Sequence, residues 1–285
     1  MSSQKIFITG GRGYIGSALV KYLRGTHELT VLTRKTETTP AIPTTVIGSL
    51  ETIAQWQEHL RGIDAIVHLA GTTHSKDSAG YMQSNVAGMR ELIRAAEYMG
   101  VKRFIFVSTR AIGASCGTYG ESKKQAEDLL RASSLDWEIA RVGETYDDAW
   151  SSSEGINKLA RTIMRYPMAP IITGHSVTLC PIHRDDVVAS LGAMITTPHP
   201  KSTYILAGPE SLTFLETAQR IAQYYKRKTI LLPIPLALAH IVHKTITRIG
   251  IGYPDQWDRL VCHKDGLSEN VERDLAIRPR AFLKN

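Results

Sequence analysis

A doubly wound, parallel α/β sheet is the fold class this sequence predicts, and three observations carry the prediction. Short apolar runs alternate with amphipathic segments from Lys5 to Ala140, with no hairpin signal between them; strands joined by crossover helices read this way. One run, Ala65-Ile66-Val67-His68-Leu69-Ala70-Gly71, is almost wholly apolar, as expected of a strand covered by helices on both faces. The first run, Ile6-Phe7-Ile8, leads into Thr9-Gly10-Gly11-Arg12-Gly13-Tyr14-Ile15-Gly16 and then a helical pattern. At 285 residues and 43% hydrophobic content, the chain suits one such domain with a smaller lobe. The division is expected near Tyr146: a sheet domain over 1–146, to which 177–206 returns, and a mixed lobe over most of 147–285.

The elements follow in order. After the first helix, Glu28 to Thr33 reads as a second strand and Thr45 to Ile47 as a third. Thr52 to Leu60 reads as a helix capped by Thr52, and Ala65 to Gly71 as the fourth strand. A long helix runs from Gly80 to Met99 and stops at Gly100. Arg103 to Val107 is the fifth strand, ending at Ser108-Thr109. Tyr119 to Arg131 is a helix and Trp137 to Ala140 a sixth strand. Beyond Tyr146 the pattern loosens. Helices are expected over Asn157–Arg165, Arg184–Met194, Thr213–Tyr225, Pro235–Arg248, Gln256–Cys262 and Val271–Ala276. Short strands are expected at Ile171-Ile172, Val177–Cys180 and Tyr204–Leu206.

The glycine loop has the spacing of a dinucleotide cradle. Gly10 allows a tight turn, Gly13 lets backbone approach a pyrophosphate, and Gly16 lets the helix pack on the strand. The helix N-terminus, from Tyr14 and Ile15, offers free N–H groups to phosphate. Leu69 and Ala70, at the end of the neighbouring strand, complete the expected cofactor positions; a small residue there lets a ribose lie close. The second strand ends in Thr33-Arg34-Lys35, without the acid that would bind an adenosine ribose. A guanidinium suits a 2′-phosphate, so Arg34 points to NADP(H) over NAD(H).

The candidate chemistry lies after the fifth strand. Tyr119 and Lys123 stand four apart on one helix face. A neighbouring ammonium would lower the phenol's pKa towards working pH, making it a proton carrier for a hydroxyl or carbonyl. The same spacing occurs at Tyr98/Lys102 and Tyr224/Lys228, but only Tyr119 follows a strand ending in hydroxyls. Thr109 can donate to the reacting oxygen, and Ser108 is the alternative. Lys123 can also bond a nicotinamide ribose.

Several segments together resemble the short-chain dehydrogenase/reductase superfamily, in its extended or atypical epimerase/dehydratase branch. They are Thr9-Gly10-x-x-Gly13-x-x-Gly16, Asp64-Ala-Ile-Val-His68-Leu-Ala-Gly71, Asn85-Val86-x-Gly88, Val101 to Thr109, Tyr119-Gly-x-Ser-Lys123 and Pro181-Ile-His183-x-Asp185-Asp186-Val187. Leu206-Ala-Gly208-Pro209-Glu210-x-Leu-Thr213 is similar to the branch holding the nucleotide-binding accessory subunit of respiratory complex I. The resemblance implies a Rossmann sheet, a Thr109/Tyr119/Lys123 triad, and a dinucleotide held by Gly10, Gly13, Gly16 and Arg34. It also implies hydride transfer at a carbinol or ketone carbon, with a nucleotide sugar as the leading substrate class, and a homodimer through the helices 80–99 and 119–131. The sequence departs from the branch at Gly48-Ser49, where an acid is usual, and at Arg141 to Asp147, where a proline is missing. The loop from Thr109 to Tyr119 is also short. A nucleotide-holding assembly or redox-sensing protein without turnover is the competing reading.

Composition narrows the partners. The net charge of +7 is scattered, and Lys226-Arg227-Lys228 carries no nucleic-acid motif, so a phosphate-bearing small molecule is favoured over nucleic acid. The longest apolar run, Ile230 to Ala239, is too short to span a bilayer, and stable membrane insertion is not expected. Cys116, Cys180 and Cys262 are far apart and show no metal spacing. Unpaired thiols in a reduced, cytoplasmic compartment are expected, with no signal peptide, since a strand begins by Lys5. No metal site is expected: His68 reads as a packed strand residue, and His240 and His243 share a helix face without a third ligand. His183-Arg184-Asp185 imitates a kinase catalytic loop, but no Asp-Phe-Gly follows.

Overall fold

The computed structural model describes residues 3–34, 44–153, 155–174 and 178–284. The chain opens with β1 (Lys5–Thr9), α1 (Tyr14–Leu23), β2 (Glu28–Thr33), β3 (Thr44–Ile47), α2 (Ile53–Trp56) and β4 (Ala65–His68). It continues with α3 (Ser78–Tyr81), a π-helical turn over Met82–Ala87, α4 (Gly88–Tyr98), β5 (Arg103–Thr109), α5 (Gly117–Arg131) and β6 (Asp136–Val142). Then come β7 (Thr145–Tyr146), α6 (Gly155–Arg165), β8 (Met168–Thr173), β9 (Ile182–His183), α7 (Arg184–Thr196) and β10 (Ser202–Leu206). The last elements are α8 (Phe214–Tyr224), β11 (Ile230–Pro235), α9 (Leu236–Arg248), α10 (Gln256–Val261) and α11 (Asn270–Leu275).

Seven strands form one parallel sheet in the order β10-β6-β5-β4-β1-β2-β3. This is the doubly wound Rossmann sheet. Its strand order reverses between β1 and β4, and ligands of open α/β sheets bind beyond the carboxyl ends of the strands at such a point. Successive side chains on a strand face opposite ways. Ile6 and Ile8 therefore enter one core with Leu19, Leu191 and Val271, beneath α1, α7 and α11. Phe7 enters the other with Trp56, Met89 and Leu130, beneath α2, α4 and α5. A third core gathers Tyr146, Trp150, Ile163, Ile171, Ile221 and Phe282, around α6, α8 and the parallel pair β8–β11.

Local differences from the sequence expectation have local causes. The helix expected from Thr52 is one α-turn followed by a 3₁₀ turn over Gln57–Leu60. Thr52 does not cap it, because its hydroxyl accepts from the Ser49 amide at 3.0 Å. The long helix starts at Ser78, where the Asp77 carboxylate accepts from the Gly80 amide at 2.9 Å. β11 was not expected as a strand. Its prolines, Pro233 and Pro235, are tolerated in a two-stranded sheet in which β8 is its one neighbour among the described residues. Of the strand expected over Val177–Cys180, Val177 lies outside the described residues, and Leu179 makes an isolated antiparallel bridge to Leu212.

Candidate active site

The glycine loop closes the switch point between β1 and β4. Gly10 has φ +72°, and a Cβ there would lie 2.6 Å from the Ala70 amide, so only glycine fits against β4. A Cβ on Gly16 would overlap the Gly10 carbonyl, which lets the first turn of α1 sit directly under the loop. Gly13 is exposed and is the N-cap of α1, with no side chain capping the helix. The α1 N-terminal amides thus face outward beside backbone that a ligand can approach closely, and the cradle fits a dinucleotide pyrophosphate. Leu69 and Ala70 are tied to the same place: their amides donate to the Thr9 carbonyl at 3.0 Å and the Thr9 hydroxyl at 3.2 Å.

The remaining loop positions have distinct surroundings. Ile15 packs on the sheet core. The Tyr14 ring lies under the Arg184 guanidinium at 4.9 Å, and burial, with Asp147 adding to it, pushes its phenol far up. Tyr14 therefore joins the loop to the start of α7. Arg34 is exposed just past β2, and Lys35 lies outside the described residues. Sequence reading missed Arg12, which donates to the Thr33 hydroxyl at 3.3 Å and brings a second guanidinium to the end of β2. Its only sequence signal was a cation inside the glycine loop.

Thr109 and Tyr119 meet at the carboxyl end of β5, on the far side of β4 from the glycine loop. The Thr109 side chain hydrogen-bonds the phenol and accepts from the Ala111 amide at 3.1 Å. Ser108, on the opposite face of the strand, donates to Glu127 at 2.7 Å, which separates the two hydroxyls by role. Burial would raise the Glu127 carboxyl, but hydrogen bonds from Arg141 and Ser108 hold it below the usual carboxylate range. Of the three tyrosines four residues before a lysine, Tyr98 is 78% and Tyr224 41% exposed, while Tyr119 is 8% exposed. Asn85, on the π-turn, binds the Thr72 backbone through both amide atoms and donates to Ser122 at 3.0 Å. It fixes α5 against the segment after β4.

The expected action of Lys123 on Tyr119 is not found. The Lys123 ammonium donates to the Val107 carbonyl at 2.9 Å and lies 4.1 Å from the Phe106 ring centroid. Burial lowers its pKa to about 7, against the opposing charge of Glu127. Burial also pushes the Tyr119 phenol up. The cation that pulls it back is Arg259, assisted by Thr109 and opposed by Asp255. Behind Lys123, His68 is packed as expected. It pairs with the Thr9 hydroxyl at 2.6 Å and stacks on Phe106, and burial followed by the Lys123 charge lowers its pKa to about 3.

Arg259 belongs to a wall that sequence reading did not find. α10 lies across the start of α5, with the guanidinium 4.2 Å from the Tyr119 ring centroid and donating to the Thr73 carbonyl at 2.6 Å. Asp255 accepts from Tyr81 at 2.9 Å, and Tyr81 packs edge-on to Tyr119. Gly117 permits the approach, since a Cβ there would stand 3.1 Å from that of Asp258. Cys262 is thereby brought to Cys116, and the two form a disulfide across 146 residues of sequence. The expectation of unpaired thiols is corrected for this pair; Cys180 is free and buried. Lys264 then binds Glu144 at 3.1 Å, beside the Arg110–Glu144 pair. A cleft of 160 Å³ opens next to this wall, between Ser75, Asp77, Tyr81, Thr118, Asp255 and Asp258.

The other singled-out residues are structural. His183 caps α7, its Nδ1 accepting from the Asp185 amide at 3.2 Å. Asp186 is held by Arg280 at 2.8 Å. His240 stacks on Trp257 with 4.6 Å between centroids. Among the described residues, no group of three or more His, Cys, Asp or Glu could hold a metal ion.

Residues 10–165 match a family model described as NAD(P)H-binding. The chain is 32% identical to a UDP-glucose 4-epimerase of Klebsiella pneumoniae, over 42% of this chain and 95% of the relative. It is 26% identical to a dTDP-glucose 4,6-dehydratase of Streptomyces niveus, over 76% of each chain. Among solved structures, MoeE5 in complex with UDP-glucuronic acid and NAD has a TM-score of 0.77 at 18% identity, covering 98% of this chain and 95% of that one.

Proposed function

The chain belongs to the NAD(P)H-binding family and is of the short-chain dehydrogenase/reductase type, and on that footing we propose that it interconverts a carbinol and a ketone on a nucleotide sugar, with Tyr119 moving the proton. The observation that carries this reading is the buried Tyr119 phenol, hydrogen-bonded to the half-buried Thr109, at the sheet edge that also holds the glycine cradle. When bound, a nicotinamide supplies or takes up the hydride. Gly10, Gly13 and Gly16, with Leu69 and Ala70, hold the dinucleotide, and Lys123 reaches its ribose. In the reductive direction Tyr119 gives its proton to the developing alkoxide, and in the oxidative direction it takes the hydroxyl proton. Thr109 donates to the same oxygen. Arg12 and Arg34 favour a 2′-phosphate, hence NADP(H). The lobe built on the third core binds the nucleotide. The relatives support the substrate class through their names, a UDP-glucose epimerase and a dTDP-glucose dehydratase.

The test is Tyr119→Phe. Turnover of UDP- and dTDP-hexoses should fall by about 10²–10⁴-fold, the usual worth of a positioned acid–base, while the NADPH dissociation constant stays within about twofold, since no phosphate contact is removed. Unchanged turnover sinks the mechanism. The cover of α10 over Tyr119 favours a second reading, a dinucleotide-binding protein without turnover. NADPH binding with no oxidation across nucleotide sugars and simple ketones would select it.

A further inference from the structure

α9 is built inside out. None of its residues is buried. Its half-buried positions are Leu236, Ala239, His243 and Thr247, of which only Leu236 is a large apolar residue. Leu238, Ile241, Val242, Ile246 and Ile249 are all exposed, Ile241 at 64% and Ile249 at 67%. Their spacing of 3, 4, 8 and 11 places them on one side of a helix. An amphipathic helix of a water-soluble surface turns its apolar row inward; this one turns it out. Neighbouring β11 and β8 add to the effect. Ile230 and Leu232 of β11 stand in register with Met168 and Pro170 of β8, and all four are exposed.

Charge follows the same segment. Residues 217–254 contain none of the chain's 27 acidic residues. They contain Arg220, Lys226, Arg227, Lys228, Lys244 and Arg248, six basic groups in a chain whose net charge is +7. The positive balance, scattered along the sequence, is in net terms almost wholly the property of this segment. Lys244 and Arg248 flank the apolar row on α9 itself, where long stems can lie along apolar surface while the charges stay in water.

We propose that α9 is an interfacial helix that docks this protein on an anionic lipid surface, its Ile241/Ile246 row entering the acyl boundary and Lys244, Arg248 and Lys226-Arg227-Lys228 meeting the headgroups. The complementarity fits such a surface: a basic segment without acids of its own, carrying an exposed aliphatic row. The helix lies on the membrane and does not cross it, since no helix among the described residues is long and apolar enough to span. This docking is independent of the hydride chemistry and of which nucleotide the sheet holds.

The experiment is co-sedimentation of the full chain with vesicles of phosphatidylcholine alone, or of phosphatidylcholine and phosphatidylglycerol in equal parts. Binding to the anionic vesicles should exceed binding to neutral ones by about tenfold or more and weaken as salt is raised. The double variant Ile241→Gln/Ile246→Gln should lose about tenfold of that binding while NADPH binding is kept, and Tyr98→Ser, at an exposed aromatic on another helix, should lose none. On the unaltered chain, anionic vesicles should slow hydrogen exchange of α9 amides and leave α4 unaffected, which reads the docking even where the double variant folds poorly. No sedimentation, or equal binding to both vesicle types, overturns the proposal. So does a self-associated state that the double variant dissolves without any vesicle binding, which would assign the row to a second copy of this chain.

Discussion

Two walls meet at Tyr119, and the chain builds them by opposite means. The sheet-side wall is local. Thr9 to Gly16, Leu69-Ala70 and Thr109 each end a strand or follow one directly, and the parallel order of β1, β4 and β5 brings them together without further specification. The opposite wall is remote. Asp255 and Arg259 come from the N-cap and body of a short helix that is held by Tyr81, Thr73 and the Cys116–Cys262 bond. The first wall fits phosphate through backbone amides, and the second acts on the phenol through one side-chain charge. A fold can thus supply a cofactor cradle from topology, while the tuning of the Tyr119 phenol rests on a few contacts arriving from far along the chain.

The comparison breaks most visibly at Arg259. A cation at this distance favours a phenolate, typically by about one to three pH units. In the oxidative direction, where the phenolate takes the proton, Arg259→Ala should therefore move the acidic limb of kcat/KM to higher pH by about one unit, lowering turnover near neutrality by about tenfold. Cys262→Ser, or reductant on the intact chain, should shift the limb in the same direction, because both release α10. A pH profile unmoved by Arg259→Ala would make the C-terminal wall structural only.

The same asymmetry decided what could be read from the sequence. The sheet was legible because each strand and glycine carries its own signal: β2 was read from Glu28 to Thr33 on the apolar Leu29, Val31 and Leu32. Gly10 and Gly16 were legible because no other residue fits their places. Cys116 and Cys262 carried no signal, since nothing in the chain across their separation of 146 positions encodes that α10 returns to Gly117. The partner of Tyr119 was misassigned for a related reason. Helix spacing predicts that Lys123 shares a face with Tyr119, but not that its amine turns to the Val107 carbonyl at 2.9 Å. Ser108 and Thr109 could be told apart only once the pleat showed which one faces Glu127.

Lys123 sharpens the sheet-side half. Its folded pKa is lowered to about 7 by burial, so the amine is charged below pH 7 and neutral above it. A dinucleotide is anionic, and in the proposed binding mode it would place acceptors beside the amine and raise that pKa. Binding should therefore take up close to one proton near pH 8 and almost none near pH 5.5, and affinity should fall with rising pH above 7, by at most about tenfold per unit. Calorimetry in buffers of different ionisation enthalpy reads the uptake directly. Lys123→Met should abolish it, and uptake that persists in that variant assigns the proton elsewhere.

The smallest effect expected is at the end of β2. Arg34 is exposed, and an exposed charge pair is worth up to about 1 kcal/mol, or about fivefold in affinity. Arg34→Ala should weaken NADPH by about that factor and leave NADH unchanged, since only the former carries a 2′-phosphate. Arg12 is less exposed and is steadied by the Thr33 hydroxyl at 3.3 Å, so Arg12→Ala should cost NADPH somewhat more. The ratio of the two dissociation constants, measured by fluorescence titration at low and high salt, separates the guanidinium pair from a general attraction to anions. Equal losses for NADH and NADPH in both variants would remove the 2′-phosphate from this site and leave the glycine cradle, with its backbone amides, indifferent to which nicotinamide dinucleotide it holds.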